Sequence, residues 1–449
     1  MAIYLKKFEN HTQYDNYING SGAILPNVSI CTAEGDVHYN PYVEPIETRL
    51  VCKYNVTDTS NPTKIGYNQY ISGFSAIEID GVEQAEVVSA YTFSTTGEHT
   101  VKYTLTDPTT IIRNAFFKCS DLTSIDIPIG ITSIGIYAFQ DCSGLTSIDI
   151  PIGVTSIGEN AFYRCSGLTS VTIPDSVTTI DIQAFSDCKN IKMLNSNVDG
   201  VFNIPSSVTS IGGAAFNQCN HIENLTMPNV TTIGRDAFAG CFRLIRLNSN
   251  VDGVYNLVNV INIGAHAFNS CNLLTKAILS DNIEIINGFS SCISLTSIGG
   301  IGSNTSIEIP NNATSIGDMA FQYSYGITSV VIPDNITSID SNAFSRCSGL
   351  TSVTIGSGVT SIGNSAFTYC SGMTSVTIGG GVTSIGKYAF YECRNLINIT
   401  VEATTPPVLG TYAFSATGSF PIYVPSGSVD TYKAASGWSV YASRIQAIP

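Results

Sequence analysis

The chain carries little charge. Asp, Glu, Lys and Arg make up only 12% of its 449 residues, about half the usual share of ~25%. A surface built from ion-paired helices is therefore excluded, and Ser, Thr and Asn must supply the polar cover. The charge that is present leans acidic, at −14 net. That balance repels phosphate backbones and anionic headgroups, so neither nucleic-acid binding nor docking on acidic lipid is expected. No uninterrupted apolar run approaches the ~20 residues of a membrane helix, so membrane insertion is not expected either. The opening MAIYLKKFENHTQYDNY has two lysines with no apolar run after them. The expectation is a chain with no signal peptide, made in a cytoplasm. No C-x-x-C pair occurs, which argues against structural zinc. The histidines, His11, His38, His99, His221 and His266, form no spaced pair. No Ser/His/Asp order, phosphate loop or dinucleotide fingerprint stands out. Catalysis, a metal site and a cofactor are all unexpected on these grounds.

What the chain has is a period. The pair Ala-Phe recurs with its phenylalanine at 116, 139, 162, 185, 216, 238, 268, 321, 344, 367, 390 and 414, and Gly288-Phe289 fits the same place. The steps are 23, 23, 23, 31, 22, 30, 21, 32, 23, 23, 23 and 24 residues. This is thirteen units of base period 23 with three insertions of about eight residues. The shared pattern is S-I-G-x-x-A-F-x-x-C-S-G-L-T-S-V-T-I-P, seen clearly from Ser133 to Pro151. Leu145, Ile148 and Ile150 follow L-x-x-L-x-L, which in an extended strand puts Ile148 and Ile150 on one face. Pro151 ends that strand, because it has no N–H to offer the next rung. Val154–Ile157 reads as a second short strand, and 159–165 as a tight helical or 3-10 turn that folds Ala161 and Phe162 inward. One unit cannot bury its apolar side alone, so neighbours must stack. Thirteen rungs at ~4.8 Å each give a rod of roughly 60 Å.

From Thr109 to Val424 the units resemble BspA-type leucine-rich repeats, found in surface and adhesion proteins of anaerobic bacteria and some protozoa. The resemblance implies a β-rich leucine-rich-repeat solenoid with no shared catalytic residue. Eleven of the thirteen cysteines occupy one repeat position, from Cys119 to Cys393, with Ser324 and Thr417 standing in elsewhere. Serine can replace a packed thiol but not a bridging or metal-bound one, so a column of buried, unpaired thiols is expected. Cys31 and Cys52 lie outside the column and cannot be paired from sequence.

Residues 1–44 hold no repeat. Strand signals then recur at Leu50–Val56, Ala76–Ile79, Val87–Phe93 and His99–Leu105, with Asp80-Gly81 as a turn. A small immunoglobulin-like β-domain over 45–107 is expected, then the solenoid at 108–424. A C-terminal cap at 425–449 would be plugged by Trp438. The stretch LPNVSICTAEGDVHYNP in the arm resembles structural proteins of phages of gut bacteria.

The exposed strand positions are monotonous Thr-Ser pairs in the outer units. They change in the middle to Lys192, Glu223, Asn224, Arg246 and Lys276. All three insertions fall there, two of them near copies, LNSNVDGVFN and LNSNVDGVYN, which bring Phe202 and Tyr255. Insertions often cluster on a binding face, so these seven residues are the expected ligand contacts, set against drift and duplication as the alternative. Asn195–Gly200 has the first half of a calcium loop but Ser206 where the twelfth-position acid belongs, so an Asp-Gly turn is expected instead. Two functions fit. One is an adhesin that binds a host surface protein or glycan at a cell surface. The other is a virion component in which residues 1–105 dock to other virion proteins.

Overall fold

The computed structural model describes residues 49–299 and 307–449, together with one short antiparallel pairing of Ile30–Cys31 with Val37–His38. The arm over residues 1–44 otherwise lies outside the described residues.

Residues 49–107 form antiparallel β-structure. In Arg49–Val56 and Gly97–Leu105 alternate residues are buried, so Leu50, Cys52, Tyr54 and Val56 face the same way as Val101, Tyr103 and Leu105. The two tyrosine hydroxyls meet at 3.0 Å and both reach the Ile65 carbonyl. Asp80 and Gly81, with φ of 49° and 82°, make a turn with two left-handed residues, the kind that suits the twist of a hairpin. The sheet order is Leu122–Asp126, Arg49–Val56, Gly97–Leu105, Phe74–Ile79, Val82–Glu83. Its first strand comes from the first repeat, so sheet and array share an edge. The strand expected at Val87–Phe93 shrinks to Ala90–Tyr91, paired with Thr63–Lys64. The described strands thus form one five-stranded sheet and a two-stranded ribbon, rather than two comparable sheets.

Each turn of the array crosses two parallel ladders. One is built of the Ser-Ile pairs. It has seven strands from Thr110–Ile111 to Asn262–Ile263 and six from Ile285–Ile286 to Val408–Leu409. The other is built of the L-x-x-L-x-L strands. It has nine from Ser147–Asp149 to Ser297–Gly299 and six from Ser329–Ile332 to Ile445–Ala447, joined by bridges through Ile307. Like residues pair with like: Ile134 with Ile157, Ile148 with Val171.

The segment after Gly158 is not the helical or 3-10 turn expected from sequence. Asn160 and Arg164 have φ of 55° and 57°, which no right-handed helix accepts. Alternate N–H groups go in two directions. Ala161, Tyr163 and Cys165 donate three residues back within the rung. Asn160, Phe162 and Arg164 donate to Ile182, Ala184 and Ser186 of the next rung. A helix would direct all its donors internally; this ladder of turns uses half of them to bind neighbours.

The phenylalanines form a continuous column. All twelve successive pairs, from Phe116–Phe139 to Phe390–Phe414, stack with centroids 5.1–6.1 Å apart and planes within 22°. The column runs into Phe74 and Tyr103 at one end and Trp438 at the other.

The repeat cysteines are buried and unpaired, as is Cys52. From Cys142 onward each repeat thiol donates to the phenylalanine carbonyl of the preceding rung, as Cys165 to Phe139 at 3.0 Å and Cys188 to Phe162 at 2.9 Å. Ser324 makes the same bond to Phe289 at 3.0 Å, which is why a hydroxyl substitutes there. Burial pushes the Cys119, Cys271 and Cys347 thiols up to about 12. Alkylation of the native protein at pH 8 should leave the twelve described cysteines unmodified, since all twelve are buried out of reach of the reagent. Under denaturing, non-reducing conditions intact-mass analysis should show all twelve modified; protection of most of them would mean disulfides.

Candidate functional site

Two of the three insertions add a strand to the L-x-x-L-x-L ladder, and the described part of the third adds a single bridging residue. Val201–Asn203 sits between Met193–Leu194 and Asn224–Thr226. Val254–Leu257 sits between Arg246–Leu247 and Lys276–Leu279. Ile307 bridges Ile298 and Val330. Every added strand lengthens this ladder by ~4.8 Å. At the same places the Phe column is spaced at 5.5, 5.7 and 6.1 Å, little different from the 5.6 and 5.8 Å of the central pairs that span no insertion. The rungs therefore fan apart on the strand side across the middle of the array.

This corrects two of the expected contacts. Phe202 and Tyr255 are 0% exposed. They occupy the inward strand position of the added rungs, opposite Leu194 and Leu225, and Leu247 and Ala277. The Tyr255 hydroxyl donates to the Leu244 carbonyl at 2.8 Å. Both rings are core, because a strand that joins the ladder must bury alternate side chains.

The other five residues do share one surface. Lys192 and Glu223 flank Gly200 in one row, tied by backbone bonds through that glycine. Asn224, Arg246 and Lys276 lie in the adjoining row. Glu223 packs its stem over Gly200 and pairs with Arg243. Arg246 pairs with Asp252. The Asn224 amide oxygen has no partner. The repeats on either side offer less than their hydroxyls suggest. Thr169, Thr351 and Thr374 each donate to the threonine carbonyl of the preceding rung, at 3.0, 2.9 and 3.1 Å.

Asn195 and Asn248 act as backbone clasps. Asn195 accepts from the Ile173 N–H and donates to the Ile173 and Asn203 carbonyls. Asn248 does the same with Met227 and Asn256. The segment that began like a calcium loop is a turn of this kind, with Gly200 at φ 79°. Among the described residues no His, Cys, Asp and Glu group could hold a metal ion. His266 Nδ1 lies 2.7 Å from the Ser290 hydroxyl, but Ser290 is 2% exposed and its hydroxyl is held by Asn269. That pair offers a substrate no accessible oxygen.

Sequence reasoning missed the turn side of the last rungs. Arg346 lies over Tyr323 and Tyr369, 5.4 and 4.7 Å from their centroids. Tyr388 stacks on Tyr412 at 5.4 Å and meets Tyr391 edge-on. Tyr369, Tyr388 and Tyr412 remain 41%, 39% and 55% exposed. The signal was in the repeat alignment: Tyr323, Arg346, Tyr369, Tyr388 and Tyr412 stand two places before or after the column phenylalanine, where φ is positive.

Comparison with solved structures finds a leucine rich cell surface protein from Faecalibacterium prausnitzii, 28% identical over 77% of this chain and 88% of that one, with a TM-score of 0.49. A leucine-rich repeat protein from Bacteroides ovatus is 28% identical over 72% of this chain and 89% of that one, with a TM-score of 0.44. No curated protein matches. The model of the BspA type leucine rich repeat region matches residues 109–199, 195–305 and 299–420. That span takes in the Phe column and nearly all of both parallel ladders, and the chain belongs to the BspA-type leucine-rich-repeat family.

Proposed function

We propose that this chain is a non-enzymatic recognition or adhesion protein that binds a host protein or glycan at a surface through its solenoid. The observation that carries this reading is the exposed Tyr-Arg ladder on the turn side of the last rungs. Interface hot spots are enriched in Tyr and Arg. Tyrosine gives rigid contact area at low entropic cost, with Ser and Asn around it supplying adaptable hydrogen bonds. Lys192, Glu223, Asn224, Arg246 and Lys276 are proposed as further contacts on the strand face, where the fanned rungs present the array's most varied side chains.

Two variants test the reading: Tyr369→Ser/Tyr388→Ser/Tyr412→Ser on the turn side and Lys192→Ser/Arg246→Ser/Lys276→Ser on the strand face. Each is checked for its fold by circular dichroism and assayed for adhesion to host cells. The tyrosine variant should lose about tenfold or more in affinity, the scale of a hot spot, and the strand-face variant less. Undiminished adhesion by both folded proteins would remove the solenoid faces as the binding surface.

Residues 1–105, which include the antiparallel strands from Arg49 to Leu105, serve attachment in this proposal. A virion component is the alternative. It rests on the arm, most of which lies outside the described residues, and no observation on the described ones favours it.

A further inference from the structure

Where the N-terminal sheet meets the first two rungs, the chain leaves an open cleft of about 290 Å³. Its walls are aromatic. Tyr67 and Tyr70, on the short 3-10 turn around Asn68–Gly73, stack at 5.9 Å. Phe117 meets Tyr67 edge-on at 5.1 Å. Tyr137 faces them from the second rung. Three amides, Gln69, Asn114 and Gln140, complete the lining, and no carboxylate is among the lining residues. Gln140 is hydrogen-bonded to Asp141 at 3.2 Å, just outside the lining. The Gln69 and Asn114 side chains make no hydrogen bond among the described residues.

Three cations rim the cleft. Lys64 Nζ lies 4.7 Å from the Tyr67 centroid and 5.3 Å from that of Phe117. Lys118 Nζ lies 5.2 Å from Phe117 on the same ring. The Arg113 guanidinium lies 5.4 Å from Tyr137. None of the three has a carboxylate partner among the described residues, although the chain as a whole is at −14. Lys64 is half-buried, which pulls its ammonium below the usual range, and repulsion from Lys118 adds to this. Both ammonium groups thus lie against the Phe117 ring, and neither is ion-paired among the described residues.

We infer that this cleft is a binding site for an acidic sugar, a pyranose bearing a carboxylate, at the end of or within a glycan. The assignment follows from matching each surface to a part of such a ligand. The rings offer flat apolar faces with a polarisable edge, suited to the C–H face of a pyranose. The two unengaged amides offer donors and acceptors for ring hydroxyls. Lys64 and Lys118 offer the charge-assisted bonds a carboxylate requires. The volume is at the lower limit of small-molecule sites, ~300 Å³, enough for one or two sugar rings, and the open side leaves room for the rest of a chain. The site is separate from both the strand face and the Tyr-Arg ladder, so failure of either proposal leaves the other standing.

The test is calorimetric titration of the full chain with 3′-sialyllactose and with a glucuronate-terminated disaccharide, using lactose as the neutral control. The two acidic probes distinguish a sialic acid from a uronic acid. One or both should bind saturably, more weakly as salt rises, and at least about tenfold better than lactose. Lys64→Gln/Lys118→Gln should abolish that preference, bringing the acidic probes down to the affinity of lactose. Tyr137→Ser, at a half-exposed position, should weaken every sugar, with a melting curve like that of the parent. Equal binding of lactose and the acidic sugars, no saturable heat with any of them, or an acid preference that survives the lysine substitutions would each overturn the assignment.

Discussion

Phe162→Ala should lower stability by ~3–5 kcal/mol, the range for emptying a large aromatic from a packed core. Phe162 is fully buried, with Phe139 and Phe185 stacked 5.2 and 5.1 Å on either side. Its carbonyl also accepts both the Cys165 N–H and the Cys188 thiol. The backbone bonds survive the substitution, so the loss is that of the ring alone. Stacked repeats are stabilised through nearest-neighbour interfaces, and this change weakens two of them at once. In a denaturant titration the midpoint should fall with little change in slope. A melt indistinguishable from the parent would mean that the column does not hold the rungs together.

Trp438→Ala should be comparably severe and should add aggregation. The indole is fully buried, 5.8 Å from Phe414 and 4.9 Å from Tyr432, and its N–H donates to the Pro407 carbonyl at 2.8 Å. It closes the Phe column at its open end. Removing it costs ~3–5 kcal/mol of packing and leaves the Pro407 carbonyl without that donor. It also loosens the segment that carries Ile445–Ala447, the last strand of the long ladder, paired on Ile422–Val424. Once that strand lifts, the edge beneath it can pair with another chain. Light scattering on heating should show association beginning at a lower temperature than in the parent. A variant that melts later or stays monodisperse would place the closing role elsewhere.

These two outcomes also separate what could be read along the chain from what could not. The Phe column, the thiol column and the register of the Ser-Ile pairs follow from a 23-residue period, because a rung with one apolar side has only its neighbour to bury it against. Local pattern and global contact are then the same information. Ser324 shows this in miniature: its place in the alignment implied a packed thiol's role, and its bond to Phe289 supplies the reason. The insertions were misread because their strand character has no period to announce it. One clue was available. Without residues 194–201, Met193 is followed by Phe202-Asn203-Ile204-Pro205, which restores the V-T-I-P ending and aligns Phe202 with the buried Val171.

By itself, then, the sequence determined the solenoid, its buried columns and the thiols' unpaired state, since each of these repeats a nearest-neighbour contact. Only the tertiary structure decided that two of the insertions become strands and bury Phe202 and Tyr255. A strand's inward and outward faces exchange with a one-residue shift in register, and the pairing partner sets that register. The turn ladder was likewise decided there, because its left-handed residues are held by bonds to the next rung. The cleft between Tyr67 and Tyr137 belongs to the same class: its walls come from segments that share no period, and only the packing of the N-terminal sheet onto the first repeat brings them together.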